Sequence, residues 1–182
     1  MFIAQQLKQK NIAEYLLYMW QVEDLIRANK LDVEKIEETV VSQYDLEDTQ
    51  KKALITWYED LIRMMHEEGV TEKGHLQINK NVLINLTDLH LQLANSPKYP
   101  FYGAAYFKAL PFIVELRNKS GKKEELELET CFEALYGAWL LKLQKKEMNP
   151  ETSGAINKIS SFISLLAGYY DKEKKGELNL DE

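Results

Sequence analysis

The residues of this chain that could do chemistry are polar side chains that fall on the apolar faces of two predicted helices. Plotted at about 100° per residue, each apolar arc contains or borders amide, carboxylate or imidazole groups. A histidine in a reachable cleft changes charge near neutral pH, so such a cluster could bind a small ligand or transfer a proton. The candidate pocket residues are Asn11, Glu14, Glu23, Asn79 and His90. The alternative is that each is a buried polar group satisfied by its neighbours.

A second set of residues could form a contact surface. Leu17 and Trp20 project from a face of the first predicted helix that is otherwise polar. In the last predicted helix, small side chains recur every four residues and would let another helix approach closely, including one from a second subunit. These small residues are Ser160, Ser164 and Gly168. For Leu17 and Trp20, the alternative is that the first helix is buried on most sides. For the small residues, the alternative is that they form an ordinary solvated face of the last helix.

Metal and phosphate chemistry find little support in the spacing of the residues. Di-metal sites in helical bundles use Glu-x-x-His on helices, but the one such spacing joins Glu72 to His75 in a loop, where we expect a surface histidine. A magnesium site of paired carboxylates would also need Glu-x-x-Asp, which does not occur. Ser120-Gly-Lys-Lys lacks the upstream glycine and the final hydroxyl of a phosphate-binding loop. We therefore expect no metal and no cofactor.

The single cysteine, Cys131, lies beside the apolar stripe of its predicted helix. No histidine is near it in sequence to activate the thiol, so we expect it to act as a small hydrophobic residue. The chain has no zinc-ligand spacing and no nucleophile-elbow pattern. These features favour a non-catalytic protein. One cysteine cannot form an intramolecular disulfide, so an oxidising compartment is not required.

Composition indicates a helical, cytoplasmic protein. The 182 residues include 29 acidic and 23 basic side chains, a net charge of −6, and only 8 glycines and 4 prolines for turns. This acidity, with three arginines, argues against a nucleic-acid partner. The longest uncharged run is Ile159–Tyr170, whereas a membrane span needs about 20 residues. The N-terminus lacks the apolar segment of a secretory signal.

The predicted elements form an all-α fold, an irregular bundle of six to seven helices. The seven predicted helices are Ile3–Ala28, Val33–Gln43, Leu46–Glu68, Ile78–Asn95, Phe101–Asn118, Glu125–Lys146 and Thr152–Lys172. The proline-containing segment Asn95–Phe101 is the main break and is too short for a flexible linker. We expect one domain over residues 1–172 and a charged, frayed tail over residues 173–182.

The fifth predicted helix carries a proline in its middle. Pro111 removes a backbone donor and predicts a kink, or a new helix starting near Leu110. The helix is apolar around most of its circumference, apart from a stripe formed by Lys108, Glu115 and Lys119. We therefore expect it to be a central, buried helix.

Two stretches resemble an uncharacterised bacterial family. The run IAQQLKQKNIAEYLLYMWQVEDLIR, Ile3–Arg27, resembles the opening of the family of domains of unknown function number 4924. The run FYGAAYFKALPFIVELR, Phe101–Arg117, resembles it as well, and the likeness spans essentially the whole chain. The resemblance implies a cytoplasmic all-helical protein. It implies no activity and no functional residues.

Two hypotheses about function follow. The first is a non-catalytic cytoplasmic interaction protein that forms a homodimer through Leu17 and Trp20 or through the small face of the last helix. The second is a small-ligand or enzymatic pocket in the bundle, lined by the five polar residues named first. The sequence identifies no ligand, partner or reaction.

Overall fold

The chain is all-helical. The computed structural model describes residues 1–121 and 125–179, and these contain eight α-helices, one 3₁₀ turn and no strand. The α-helices are α1 (Phe2–Lys10), α2 (Ile12–Ala28), α3 (Val33–Thr39), α4 (Asp48–Glu67), α5 (Gln77–Asn95), α6 (Pro100–Ser120), α7 (Glu127–Leu143) and α8 (Pro150–Lys174). The predicted fold class is confirmed, with one helix more than the upper number expected.

The additional helix arises at Asn11, where the first predicted helix is interrupted. The Asn11 side chain accepts a hydrogen bond from the backbone N–H of Ala13 at 3.1 Å, so it caps the first turn of α2. Asparagine favours this position because its side chain competes for backbone partners. The apolar periodicity continues through the break, which is why the sequence pattern does not reveal it.

The connection from α2 to α4 is built from local turn chemistry. Lys30 and Leu31 adopt left-handed backbone conformations, with φ of 60° and 57°. The Asp32 carboxylate then accepts from the N–H groups of Glu34 and Lys35, at 3.1 and 3.3 Å, and so begins α3. Helix α3 begins where predicted but ends at Thr39, four residues before the predicted end. A 3₁₀ turn over Val41–Gln43 follows it.

Backbone contacts divide the chain into two compact units. Unit 1 comprises Met1–Lys10 and Glu14–Asn81. In this unit α3 packs against α4, whose buried residues Leu54, Tyr58, Leu61 and Met65 recur every three or four positions. The buried apolar side chains of unit 1 are Ala4, Tyr15, Leu16, Met19, Trp20, Val22, Ile26, Ile36, Val41, Leu54, Tyr58, Leu61, Met65, Val70 and Leu76. The expectation of a single domain stays a prediction.

Unit 2 comprises Asn11–Ala13 and the described residues from Val82 onward. In it α8 packs against both α6 and α7. Its buried apolar side chains are Ile12, Ala13, Val82, Leu83, Leu86, Leu89, Leu93, Tyr102, Ala109, Ile113, Leu128, Cys131, Phe132, Ile159, Phe162, Ile163, Leu166 and Ala167. Burial raises the pKa of the Cys131 thiol far above its ordinary value, so this cysteine packs as a small hydrophobic residue.

Helix α6 differs from its prediction. It runs without interruption through Pro111, with no new start near Leu110. It packs against both α7 and α8 but buries only Tyr102, Ala109 and Ile113, so the expectation that it is buried on most sides is wrong. A helix that is apolar on nearly every side gives no signal as to which side faces the core, and α6 leaves one apolar side in solvent.

The last helix enters the first two residues of the predicted tail. Helix α8 extends to Lys174, and the Tyr99 hydroxyl donates to the backbone carbonyl of Asn179 at 2.8 Å. The remainder of the predicted frayed tail, residues 180–182, lies outside the described residues. No helix in the described ranges combines the length and apolar character that a membrane crossing requires.

Candidate functional site

Glu23 is the centre of the most polar buried cluster in unit 1. It lies on α2 with 0 % of its surface exposed. Its Oε2 lies 2.6 Å from Nδ1 of His75. Its Oε1 accepts from the backbone N–H of Leu76 at 2.9 Å and from Nδ2 of Asn79 at 2.7 Å. Because Leu76 immediately precedes α5 and Asn79 lies in its first turn, the carboxylate also lies where the helix dipole favours a negative charge.

His75 is held in one orientation by two neighbours. Nδ1 is directed at Glu23, and the imidazole ring stacks on Trp20 with a centroid separation of 4.1 Å and an interplanar angle of 11°. The side chain is still 27 % exposed. The Nδ1 contact with the buried carboxylate therefore leaves part of the ring accessible. A carboxylate that orients an accessible imidazole is the arrangement used in general acid–base catalysis.

The loop that carries His75 is fastened at several points to α2 and α5. Arg27, one turn after Glu23, donates from Nη2 to the carbonyls of Val70 and Gly74 and pairs through Nη1 with Asp24 at 2.8 Å. Glu68 accepts from the backbone N–H at the start of α5 at 2.6 Å. The loop is therefore positioned by side chains of opposite charge one turn apart on α2. This makes a structural role for Glu23 as well supported as a chemical one.

The structure brings together two of the five predicted pocket residues, Glu23 and Asn79. His75 lies beside them, although we expected it at the surface. The sequence feature that could have indicated this contact is Glu23 itself, because a carboxylate on an apolar helix face needs a hydrogen-bond partner. Glu14, in contrast, is exposed, so its predicted inward orientation is wrong. Asn11 belongs to unit 2, where it caps α2.

The predicted contact surface on α2 is wrong in one residue. Trp20 is only 2 % exposed and stacks on His75 inside unit 1, because the loop before α5 covers it. Leu17 is half-buried. On α8, by contrast, Ser160, Ser164 and Gly168 are all exposed, and the last two line a shallow groove of about 380 Å³.

His90, the fifth predicted pocket residue, is buried in unit 2. Its Nδ1 lies 2.7 Å from the hydroxyl of Tyr102, and the rings of Tyr106 and Phe162 meet it edge-on at 4.8 and 5.5 Å. Burial lowers the pKa of His90 below its ordinary value, and the negative charge of Glu127 opposes this shift only in part. The geometry is that of a hydrogen-bonded core histidine in an aromatic cluster.

Helix α6 presents a strip of exposed apolar side chains in unit 2. Phe101 is 85 % exposed and Phe107 is 65 % exposed. The strip is Phe101, Ala104, Phe107, Pro111 and Val114, and all five residues are exposed. From Ala104 onward the spacing is three, four and three residues, so the strip follows one side of the helix. The sequence did not predict this surface.

No three His, Cys, Asp or Glu side chains in residues 1–121 and 125–179 are grouped so that they could hold a metal ion. The site residues thus offer hydrogen bonds, one oriented imidazole and an apolar surface.

Over the part of the chain that the structure describes, these features define an all-helical protein with a buried carboxylate–histidine cluster and an exposed apolar strip. The chain belongs to the family described as Domain of unknown function (DUF4924), which it matches over residues 1–177. No curated protein and no solved structure matches it.

Proposed function

We propose that this protein is a non-catalytic cytoplasmic interaction protein that self-associates through the exposed apolar strip of α6. The observation that carries the proposal is the exposure of two phenylalanines, Phe101 and Phe107, on one helix with three further apolar residues between and beyond them. The single, buried cysteine is in keeping with a reducing compartment.

The strip differs from ordinary surface apolarity because it is continuous. Single exposed apolar residues are common on soluble proteins, whereas contiguous apolar patches mark interaction sites. Full burial of one phenylalanine side chain stabilises by about 1.5–3 kcal/mol. Aromatic residues are also enriched where most binding energy is concentrated. Phe101 and Phe107, about 120° apart around α6, therefore offer apolar surface whose burial would stabilise a dimer.

The test is the mass of the protein in solution, compared between two matched variants. Phe107→Asp places a charge in the strip, while Leu91→Asp places one at an exposed leucine of α5 in the same unit. We expect wild type and Leu91→Asp to be dimers at low micromolar concentration and Phe107→Asp to be a monomer. A wild-type monomer, or a dimer unaffected by Phe107→Asp, would reject the strip as the interface.

The small face of α8 is the alternative contact surface. Ser164→Leu would fill the face formed by Ser160, Ser164 and Gly168, all of which are exposed. If Ser164→Leu abolishes the dimer while Phe107→Asp leaves it intact, the interface lies on α8 and the proposal for α6 is wrong.

A second candidate function is a small-ligand or enzymatic site at His75. The contact that favours it is the 2.6 Å approach of the buried Glu23 carboxylate to Nδ1 of an imidazole that stays 27 % exposed. Native mass spectrometry of protein purified gently from its own host provides the test. A stoichiometric extra mass lost in His75→Gln but kept in His66→Gln, a change at an exposed histidine, would support it. No extra mass in the wild type would count against it.

A further inference from the structure

We propose that the partner of the α6 strip is a second copy of this chain bound antiparallel, so that Lys108 of each copy faces Glu115 of the other. This inference rests on the proposed function and adds the orientation and register of the contact. It follows from the spacing of the strip and from the charges beside it.

The strip has the spacing of a two-helix seam. Ala104, Phe107, Pro111 and Val114 alternate intervals of three and four residues, the a and d positions of a heptad. At about 100° per residue the four side chains fall within an arc of about 80°. All four are exposed. One further helix could therefore cover these four residues, while Phe101 lies about 60° outside their arc, at the N-terminal end of α6.

The charges that flank the strip select the antiparallel orientation. Lys108 and Glu115 both lie on the same flank, at successive e positions seven residues apart, and both are exposed. In an antiparallel pair e positions face e positions, whereas in a parallel pair they face g positions. Antiparallel pairing thus matches Lys108 with Glu115 twice by symmetry. Parallel pairing would set these charges against Gly103 and Leu110, which carry none.

The register follows from the same two residues. Matching Lys108 to Glu115 of the second copy places the two-fold axis midway between them, beside Pro111. The Glu115 carboxylate already binds Lys119 on the same helix, at 2.5 Å. A carboxylate has about four acceptor sites, so it can accept a second lysine. Exposed ion pairs add little affinity, but they fix orientation and partner choice.

Charge reversal tests the pairing. Lys108→Glu and Glu115→Lys each set like charges opposite one another at two symmetric places, so each should weaken dimerisation by about tenfold at low salt. The double variant restores opposite charges and should return the dimerisation constant to near the wild-type value. Asp88→Lys, at an exposed position of α5, is the control and should change it little. A double variant no better than the singles would overturn the register.

Cysteine cross-linking tests the orientation independently of charge. Pro111→Cys places a thiol beside the two-fold axis and should form an intermolecular disulfide. Ala104→Cys should not, because its antiparallel counterpart lies at the far end of α6. The native Cys131 is buried, so cross-linking through this thiol should be slight. Cross-linking at both positions would indicate a parallel pair, which would overturn this inference while leaving self-association intact. A wild-type monomer would instead reject the proposed function.

Discussion

At the scale of single residues, Glu23 is a carboxylate buried with none of its surface exposed. A carboxylate taken out of water is tolerated only when it is paired and hydrogen-bonded. Glu23 meets this requirement with three donors, which are the ring of His75, the backbone N–H of Leu76 and the amide of Asn79. The same three contacts fix the start of α5.

Removing the Glu23 carboxylate should therefore destabilise unit 1. We expect Glu23→Ala to lower the free energy of unfolding by about 3 kcal/mol, because it leaves the buried Leu76 N–H and Asn79 amide without an acceptor and removes the partner of His75. Glu59→Ala, which removes an exposed carboxylate from α4, should change it by no more than about 0.5 kcal/mol. Urea unfolding followed by far-UV circular dichroism measures both, and equal effects would contradict this account of Glu23.

His90 makes the stability of the protein depend on pH. Burial lowers the pKa of His90 below its ordinary value of 6.5 in the folded state, so the unfolded chain binds more protons in this range. The contribution of His90 is fully present above about pH 6.5 and is lost as the pH falls below that value. The free energy of unfolding should decrease between about pH 7.5 and 5.5.

As the pH falls, the free energy of unfolding should decrease less in His90→Gln than in the wild type. In His66→Gln, which alters an exposed histidine, the decrease should equal that of the wild type. Denaturant unfolding at several pH values supplies the slopes. The same slope in wild type and His90→Gln would show that other groups cause the dependence.

Sequence reasoning at this scale found buried polar groups more readily than their partners. Glu23, Asn79 and His90 were selected because they interrupt apolar arcs, and all three are buried. His75 was missed because its contact spans 52 positions of sequence and depends on the path of a loop. Trp20 was misassigned because that loop covers a face that looks polar in the helix alone.

At the scale of elements, apolar periodicity was sufficient to locate most helices. The predicted bounds of α4 and α5 lie close to the observed Asp48–Glu67 and Gln77–Asn95. The break at Asn11 was missed because apolar spacing continues across it. The exposed side of α6 was missed because an almost wholly apolar helix carries no contrast between its faces.

The start of α8 depends on a side-chain cap. Asn149 accepts from the backbone N–H of Thr152 at 2.7 Å, so Asn149→Ala should destabilise the protein by about 1 kcal/mol. Asn157→Ala, at an exposed position inside the same helix, should be neutral or slightly stabilising because alanine is the better helix former. Thermal unfolding compares the two variants. Effects of the same sign and size would rule out a capping role for Asn149.

At the scale of the whole molecule, the one thiol reports the opening of unit 2. Cys131 is fully buried, and burial raises its pKa, whereas the thiolate is the reactive form. We expect no alkylation by iodoacetamide in native conditions and alkylation that follows unfolding as urea is added. Labelling of the native protein as fast as that of the unfolded chain would contradict the packing described for α7.

Self-association is the claim on which the account of function depends. Exposed phenylalanines on α6, the heptad spacing of the strip and the charges beside it all favour a second copy as the partner. The most direct measurement is sedimentation equilibrium of the wild-type protein over a wide range of concentration. We expect the mass to rise towards twice the 21.2 kDa of one chain. A mass that stays at that of one chain well above micromolar concentration would contradict the proposal.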